Sequence, residues 1–357
     1  MATTAFGVNH PLAVKLWAKK LYHEVTGDGF FKAVLGEGSD ALIQIRNETA
    51  KSAGDKVTVG LRMLLSGDGV SGDSTLEGQE EALTLYNDSL LIDQLRHAVR
   101  SSGKMSEQRV PFDVRDENKT GLADWWKERL EVSLANQLTG NTGQANLKYT
   151  GNNAVTAPST VSGTTRLIVG GGESAETSLS ATTTHAIKLS DLDKAVAIAK
   201  AQSPRIRPIN VDGKKMYVAF LHNYQILRLR ADASTAGNFF DVQKAMLQGG
   251  KISNNPIVTG AEFIYNNVIV REWSYLPTTV GASNNALYRR GVFCGAQAGM
   301  FGVGQEGSES RMTWKEEHFD YGNQLGVAAG MIFGLKKTIF NSSDFSTIVL
   351  SGYAPAP

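Results

Sequence analysis

Apolar and polar positions alternate most clearly from Val57 to Leu65, where every second residue is apolar. A period of two is typical of a strand that buries one face. Residues 66–73 follow and are rich in the turn formers Gly, Asp and Ser, and a second strand pattern surrounds Leu83 and Leu85. The pattern therefore predicts a long β-hairpin with a glycine-rich tip.

The tip and the second strand of this hairpin carry charge of one sign. Between residues 66 and 93 there are seven acidic residues and neither Lys nor Arg. The acidic residues are Asp68, Asp73, Glu77, Glu80, Glu81, Asp88 and Asp93. A two-stranded hairpin alone is only marginally stable in water, so it needs a surface to lie on. These observations leave open whether the same subunit or a neighbouring copy supplies that surface.

A second clear pattern runs from Leu122 to Leu138, where apolar residues recur at spacings of three and four. This period is typical of an amphipathic helix. We predict a long helix over residues 118–138, with a start as early as Ser106 left open. The adjacent Trp125 and Trp126 are interpreted as residues of the core rather than as a ligand-stacking pair.

The rest of the chain mixes helices and strands. Helices are predicted after Pro11 and over residues 189–202, 224–230 and 239–247, and strands over 215–221, 262–270, 287–293 and within 312–350. Residues 141–189 are rich in Gly, Thr, Ser and Asn, which is typical of a surface excursion or an inserted element. Because helices and strands do not alternate strictly, we predict a mixed α+β fold and not a doubly wound parallel sheet.

Composition narrows the possible partners. The formal net charge is +1, whereas strong sequence-independent binding of DNA requires a clearly basic surface. The single cysteine, Cys294, excludes an intrachain disulfide and a cysteine-based zinc site, and its apolar neighbours predict that it is buried. No run of about 20 apolar residues and no secretory leader pattern are visible, so we expect a cytoplasmic site of synthesis and no membrane partner.

One motif offers a route to enzymatic chemistry. The run Gly302–Gly307 has the spacing G-x-G-x-x-G, which binds dinucleotides when a helix opens at its third glycine. Here a strand-like alternation follows instead, so a turn between strands is the preferred interpretation. His318 and Asp320 are interpreted as a surface pair, since two ligands do not make a metal site. The sequence leaves open whether the basic segment 188–230 faces solvent, nucleic acid or an acidic partner. We therefore predict no catalytic residue, no cofactor and no metal.

Several stretches resemble one protein family. They are similar to the major capsid proteins of podoviruses related to the coliphage that packages its own large RNA polymerase. The stretches that carry the resemblance are Phe6–Val14, Gly54–Thr58, Leu61–Val70, Leu91–Arg100, Gly103–Arg109 and Asp212–Val218.

The resemblance implies an α+β fold of the Hong Kong 97 capsid type. Its parts would be an N-terminal arm (1–50), a hairpin called the E-loop (51–93), a peripheral domain with a spine helix (94–140 and 305–357), an insertion or surface loop (141–188) and an axial domain (189–304). The protein would form pentamers and hexamers of an icosahedral phage head around double-stranded DNA, which it contacts without sequence specificity. Assembly would occur in the host cytoplasm, with a portal and a separate scaffolding protein as partners and a decoration protein as a further candidate.

In such a shell the acidic hairpin lies on the next copy. The candidate contact residues are Asp68, Asp73, Glu77, Glu80 and Glu81 on the hairpin and Arg96, Arg100, Lys104 and Arg109 on the neighbouring subunit. An alternative on the same fold is the shell protein of a bacterial nanocompartment. An alternative of a different class is a nucleotide-dependent enzyme that uses the glycine motif.

Overall fold

The computed structural model describes residues 34–47, 54–62, 65, 67–111, 113–211, 213–231, 263–280, 287–304 and 312–357. The predicted helices after Pro11 and over 239–247 lie outside these ranges, as do residues 305–307 of the glycine motif.

The described strands are spread over the whole sequence. They are β1 (Leu35–Gly36), β2 (Ile43–Arg46), β3 (Lys56–Arg62), β4 (Leu85–Leu91), β5 (Asp93–Arg100), β6 (Leu167–Val169), β7 (Ile209–Val211), β8 (Lys214–Leu221), β9 (Phe263–Tyr265), β10 (Val268–Glu272), β11 (Thr278–Val280), β12 (Leu287–Cys294), β13 (Gly299–Val303), β14 (Thr313–Phe319), β15 (Gln324–Lys337), β16 (Ile339–Phe340), β17 (Ser343–Asp344) and β18 (Thr347–Tyr353).

The helices divide into one long helix and several shorter ones. They are α1 (Lys104–Gln108), α2 (Val114–Thr139), α3 (Leu147–Thr150), α4 (Leu189–Ala201) and α5 (Asn223–Ala231).

Two sheets organise the molecule. In the first sheet, β15 pairs antiparallel with β5, β13 and β14, and β1 and β2 extend the sheet beyond β13. The second sheet has the order β6-β18-β12-β8-β10-β9, with β11 and β7 added on β12 and β8. It mixes parallel pairs, such as β8 with β10, and antiparallel pairs, such as β12 with β18. The hairpin β3–β4 and the pair β16–β17 form separate two-stranded sheets.

The long helix confirms the sequence-based prediction and begins four residues earlier. Asp113 caps its start by accepting a hydrogen bond from the backbone nitrogen of Arg115 at 2.8 Å, and Gly140 ends it with φ of 62°. Trp126 is fully buried in the core, and Trp125 stacks on His97 with ring centroids 4.2 Å apart. The earlier segment forms the separate short helix α1.

The core has two main parts that share the second sheet. One apolar cluster joins α2, the first sheet and one face of the second sheet, and includes Leu134, Phe301 and Val292. The other cluster fills the opposite face of the second sheet beneath α4 and α5, as shown by Leu192 and Ile226. The second sheet is thus covered by apolar residues on both faces. Cys294, which ends β12, is buried as predicted.

The C-terminal division differs from the predicted one. Strand β13, within the segment 189–304 assigned to one domain, belongs to the first sheet, while β18, within 305–357, pairs with β12 in the second sheet. Residues 347–352 are all buried, because β18 lies in the interior of the second sheet.

The polar segment 141–188 also differs from a surface excursion. Its residues Arg166, Ile168 and Ile187 are buried, and β6 joins the second sheet in parallel with β18. The Arg290 guanidinium donates two hydrogen bonds to the Glu176 carboxylate at 2.6 and 2.7 Å. Composition alone does not reveal this because the buried polar groups find their partners in distant segments.

Candidate inter-subunit surface

The root of the hairpin packs on its own subunit. Val57 in β3 and Leu90 in β4 are buried together with Met300 of the first sheet. A Cβ atom on Gly302 would lie 2.7 Å from Leu90 Cδ2, so the glycine lets the hairpin approach β13. A Cβ on Gly304 would lie 2.2 Å from Ile332 Cγ2. These described glycines of the G-x-G-x-x-G run therefore serve close packing of strands.

One of the seven acidic residues holds the root in place. Asp88 is buried and forms an ion pair with Lys336, and it accepts a hydrogen bond from the backbone nitrogen of Ile339 at 3.0 Å. Asp88 is therefore engaged within its own subunit and differs in this from the five candidate contact acids. Its counter-charge lies in the same chain, since burial of a carboxylate requires one.

The tip of the hairpin has a different character. The five candidate acids Asp68, Asp73, Glu77, Glu80 and Glu81 are exposed. Four leucines near them are also exposed by half or more of their surface, namely Leu65, Leu76, Leu83 and Leu85. Local hydrogen bonds shape the tip, with Glu81 accepting from the backbone of Gly67 and Glu80 from that of Gly78, both at 2.7 Å. The tip thus combines acidic groups with accessible apolar groups.

The four candidate basic residues lie along one edge of the first sheet and beyond it. Arg96 and Arg100 are exposed on β5, Lys104 is exposed in α1, and Arg109 follows that helix. The Arg100 guanidinium lies 4.2 Å above the Phe319 ring centroid. Arg96 and Arg100 lie on the same face of β5, and α1 with Lys104 begins four residues after Arg100.

Contacts with the turn between β14 and β15 complete this surface. The Lys104 backbone nitrogen donates to Asn323 Oδ1 at 3.2 Å, so α1 touches that turn. Met105 in α1 and Tyr321 in the turn are largely or fully exposed. We name Arg96, Arg100, Lys104, Met105, Arg109 and Tyr321 the basic corner. It is the chemical counterpart of the hairpin tip, because it pairs cationic with apolar groups.

Other chemistry is not assembled in the described ranges. No group of three or more His, Cys, Asp and Glu side chains there has the proximity needed to hold a metal ion. Within the same ranges, no helix is both long and apolar enough to cross a bilayer.

Comparison with known proteins decides the family. A family model described as phage capsid protein matches residues 5–356. This chain belongs to the phage capsid protein family. The major capsid protein of Pseudomonas phage KPP25 is 27% identical to it over 369 residues, which cover 93% of each chain.

Solved capsid structures agree with this assignment. The capsid of Ralstonia phage GP4 is 29% identical, with a TM-score of 0.80, and the match covers 100% of this chain and 99% of that one. The capsid asymmetric unit of cyanophage Pam1 has the same fold at 21% identity, with a TM-score of 0.75 and coverage of 93% and 94%. The capsid protein therefore has the predicted α+β fold of the Hong Kong 97 type and is a structural subunit of a phage shell. It is not an enzyme, and neither the nucleotide-dependent enzyme nor the nanocompartment shell is supported.

Some residues that shape the surface of this capsid protein were missed by sequence reasoning. Asn153 and Lys336 hold the hairpin root, yet both stand in segments without a distinguishing motif. Asn152 and Asn153 are adjacent and chemically identical, but the first is exposed and the second is buried. Only the contacts between distant segments separate the two.

Proposed function

We propose that this capsid protein forms pentamers and hexamers in which the hairpin tip of each copy lies on the basic corner of the next. The observation that carries the proposal is the exposed tip itself, with five acids and four leucines that its own subunit leaves accessible. Burial of the leucines would supply the non-directional part of the contact, at about 25 cal/mol per Å² of apolar surface.

Charge complementarity favours the basic corner as the partner surface. The chain has neither Lys nor Arg from residue 66 to 93 and exposes five acidic residues at the hairpin tip, and the basic corner has four exposed basic residues. Complementary charges of this kind fix the register of an interface and speed association more than they raise its affinity. The contact is therefore expected to weaken at high ionic strength, because salt screens exposed charges.

The capsomers would close an icosahedral head around double-stranded DNA in the virion, after assembly in the host cytoplasm. A portal, a separate scaffolding protein and a decoration protein are the further partners proposed. In this arrangement the first sheet with α2 forms the peripheral domain and the second sheet with α4 and α5 the axial domain. Contacts with DNA would be independent of sequence and weak, because a net charge of only +1 does not support strong binding to phosphates.

Charge reversal tests the hairpin contact. We expect Glu80→Lys with Glu81→Lys to impair assembly of the purified protein in a salt-sensitive way, as measured by sedimentation and negative-stain microscopy. Arg100→Glu with Lys104→Glu should have the same effect, and combining the four substitutions should restore part of the assembly. As a matched control, Asp124→Lys with Glu128→Lys makes an equal charge change on exposed positions of α2.

The outcomes separate the possibilities. Unchanged assembly of the Glu80 and Glu81 variant would remove the hairpin contact from the proposal. An equal defect in the α2 control would assign the effect to net charge. Nuclease-protected double-stranded DNA inside shells purified from infected cells supports the packaging role, and shells that hold only protein cargo contradict it.

A further inference from the structure

The chain leaves the hairpin and enters the first sheet within a single residue. Strand β4 ends at Leu91 and β5 begins at Asp93, so Leu91 and Ile92 form the joint between the hairpin and the body of the subunit. Leu91 pairs with Lys56 across the hairpin, and the Ile92 backbone nitrogen donates to Asp55 O at 2.9 Å. On the β4 side of the hairpin, a change of angle between hairpin and body acts at this joint.

The side chain of Asn153 forms hydrogen bonds with both backbone groups of Leu91. The Leu91 nitrogen donates to Asn153 Oδ1 at 3.0 Å, and Asn153 Nδ2 donates to the Leu91 carbonyl oxygen at 2.9 Å. A carboxamide carries the one donor and one acceptor that this pattern needs. Asn153 thereby takes the place that a neighbouring strand would have along this edge of β4.

The backbone of Asn153 is itself hydrogen-bonded to the long helix. Gln137 Nε2 of α2 donates to the carbonyl oxygens of Asn153 at 2.7 Å and of Thr150 at 2.9 Å. Gln137 and Asn153 are 1% and 4% exposed, so both bonds are shielded from competing water. Strand β4 of the hairpin is thus connected through Asn153 to the last turn of α2.

A second anchor lies three residues away on the same strand. Asp88 pairs with Lys336 and accepts from the Ile339 nitrogen, which fixes β4 to the end of β15. At about 3.4 Å per residue the two anchors are about 10 Å apart. Two hydrogen-bonded points restrict the direction of β4 more than one does, because the apolar contacts of Val57 and Leu90 at the root are not directional. Strand β4 continues only from Asp88 to Leu85 before the tip, so a small rotation at the joint displaces the whole tip.

We propose that Asn153 is a positioning residue that sets the angle at which the hairpin leaves the subunit, and that this angle determines the curvature with which copies join. The inference rests on the proposed contact between the tip and a neighbouring copy. The angle affects curvature because each subunit contacts the hairpin of another. A change in the angle of the hairpin is therefore repeated at every such contact around the shell.

The test compares three variants with the unaltered protein. Asn153→Ala removes both bonds to Leu91, and Asn152→Ala changes the adjacent, exposed asparagine as a matched control. Val196→Ala lowers stability in the second apolar cluster, which is separate from the cluster at the hairpin root. Shell diameter and closure are measured by cryo-electron microscopy, thermal unfolding is measured on the unassembled subunits, and amide hydrogen exchange is followed at Leu91.

The expected result is specific to Asn153. Exchange at the Leu91 amide should become about tenfold faster, which corresponds to about 1.4 kcal/mol. Asn153→Ala subunits should still associate, but into shells of mixed diameter or into open sheets. Asn152→Ala and Val196→Ala should give shells of the original diameter, even where Val196→Ala unfolds at the lower temperature.

Two results would overturn the inference: normal shells from Asn153→Ala despite faster exchange at Leu91, or equally aberrant shells from Val196→Ala. If the variant with Glu80→Lys and Glu81→Lys assembles as well as the unaltered protein, the proposed contact of the hairpin tip fails instead. That result is obtained before any variant at position 153 is made.

Discussion

Lys337 Nζ lies 2.6 Å from Asp344 Oδ1, in an ion pair whose side chains are 1% and 2% exposed. The surrounding segment satisfies both groups, since Lys337 Nζ also donates to Thr156 O at 3.0 Å and the Ser159 nitrogen donates to Asp344 Oδ2 at 3.2 Å. Burial lowers the pKa of Lys337, and the Asp344 carboxylate opposes that shift. The pair connects the end of β15 with β17 and with the polar segment before β6.

Breaking this pair should be costly. Asp344→Asn leaves the Lys337 ammonium buried without its counter-charge, so the free energy of unfolding should fall by about 3–5 kcal/mol. Chemical denaturation of the unassembled subunit measures the change. Lys337→Met combined with Asp344→Leu should recover much of the loss, because no lone charge remains buried. A loss below 1 kcal/mol in Asp344→Asn contradicts the assigned role of the pair.

The stability of the second sheet should depend on pH through His222. Burial, with a smaller contribution from the Arg289 charge, lowers the pKa of His222 from 6.5 to about 4. The unfolded chain therefore takes up the proton first, so the contribution of His222 is complete above pH 6.5 and is lost as the pH falls towards 4. The loss reaches at most about 3 kcal/mol.

Denaturation curves between pH 4 and 7 test this dependence. His222→Gln should flatten the pH profile of the free energy of unfolding, since the titrating group is removed. His318→Gln, at an exposed position on β14, should leave the slope as it is in the unaltered protein. Equal slopes in the unaltered protein and in His222→Gln would contradict the prediction.

Two glycines should respond in opposite directions to substitution by alanine. A Cβ on Gly334 in β15 would lie 2.1 Å from the Leu91 carbonyl oxygen, so Gly334→Ala should destabilise the protein by about 1–3 kcal/mol or more. Gly121 lies inside α2 and has open space around its Cβ direction, so Gly121→Ala should stabilise it by about 0.5–1 kcal/mol. Thermal unfolding of both variants checks the two signs, and a stabilised Gly334→Ala protein would refute the close approach.

The elements with a strong local period were predictable from sequence. Helix α2 and strand β3 show their apolar spacing within a few turns or residues, so neither prediction needed a tertiary partner. Strand β18 shows the limit of this approach. Its short apolar run Ile348–Leu350 is typical of a buried strand, but the run does not say which sheet contains the strand.

The candidate surface was predictable in charge but not in detail. The acidic run from residue 66 to 93 identifies the hairpin tip, yet it does not separate Asp88, which is anchored to Lys336, from the exposed acids. The partner of Leu91 is Asn153, 62 residues away. Contacts of such long sequence separation depend on the folded arrangement of several segments, which local composition does not encode.

The described chain crosses from one sheet to the other in three segments, residues 140–166, 295–298 and 338–346. The two sheets are therefore joined by three segments of backbone as well as by the shared apolar cluster. A protease that nicks one of these segments should leave the particle intact. A force that a neighbouring subunit exerts on one sheet would therefore be shared by these three backbone connections.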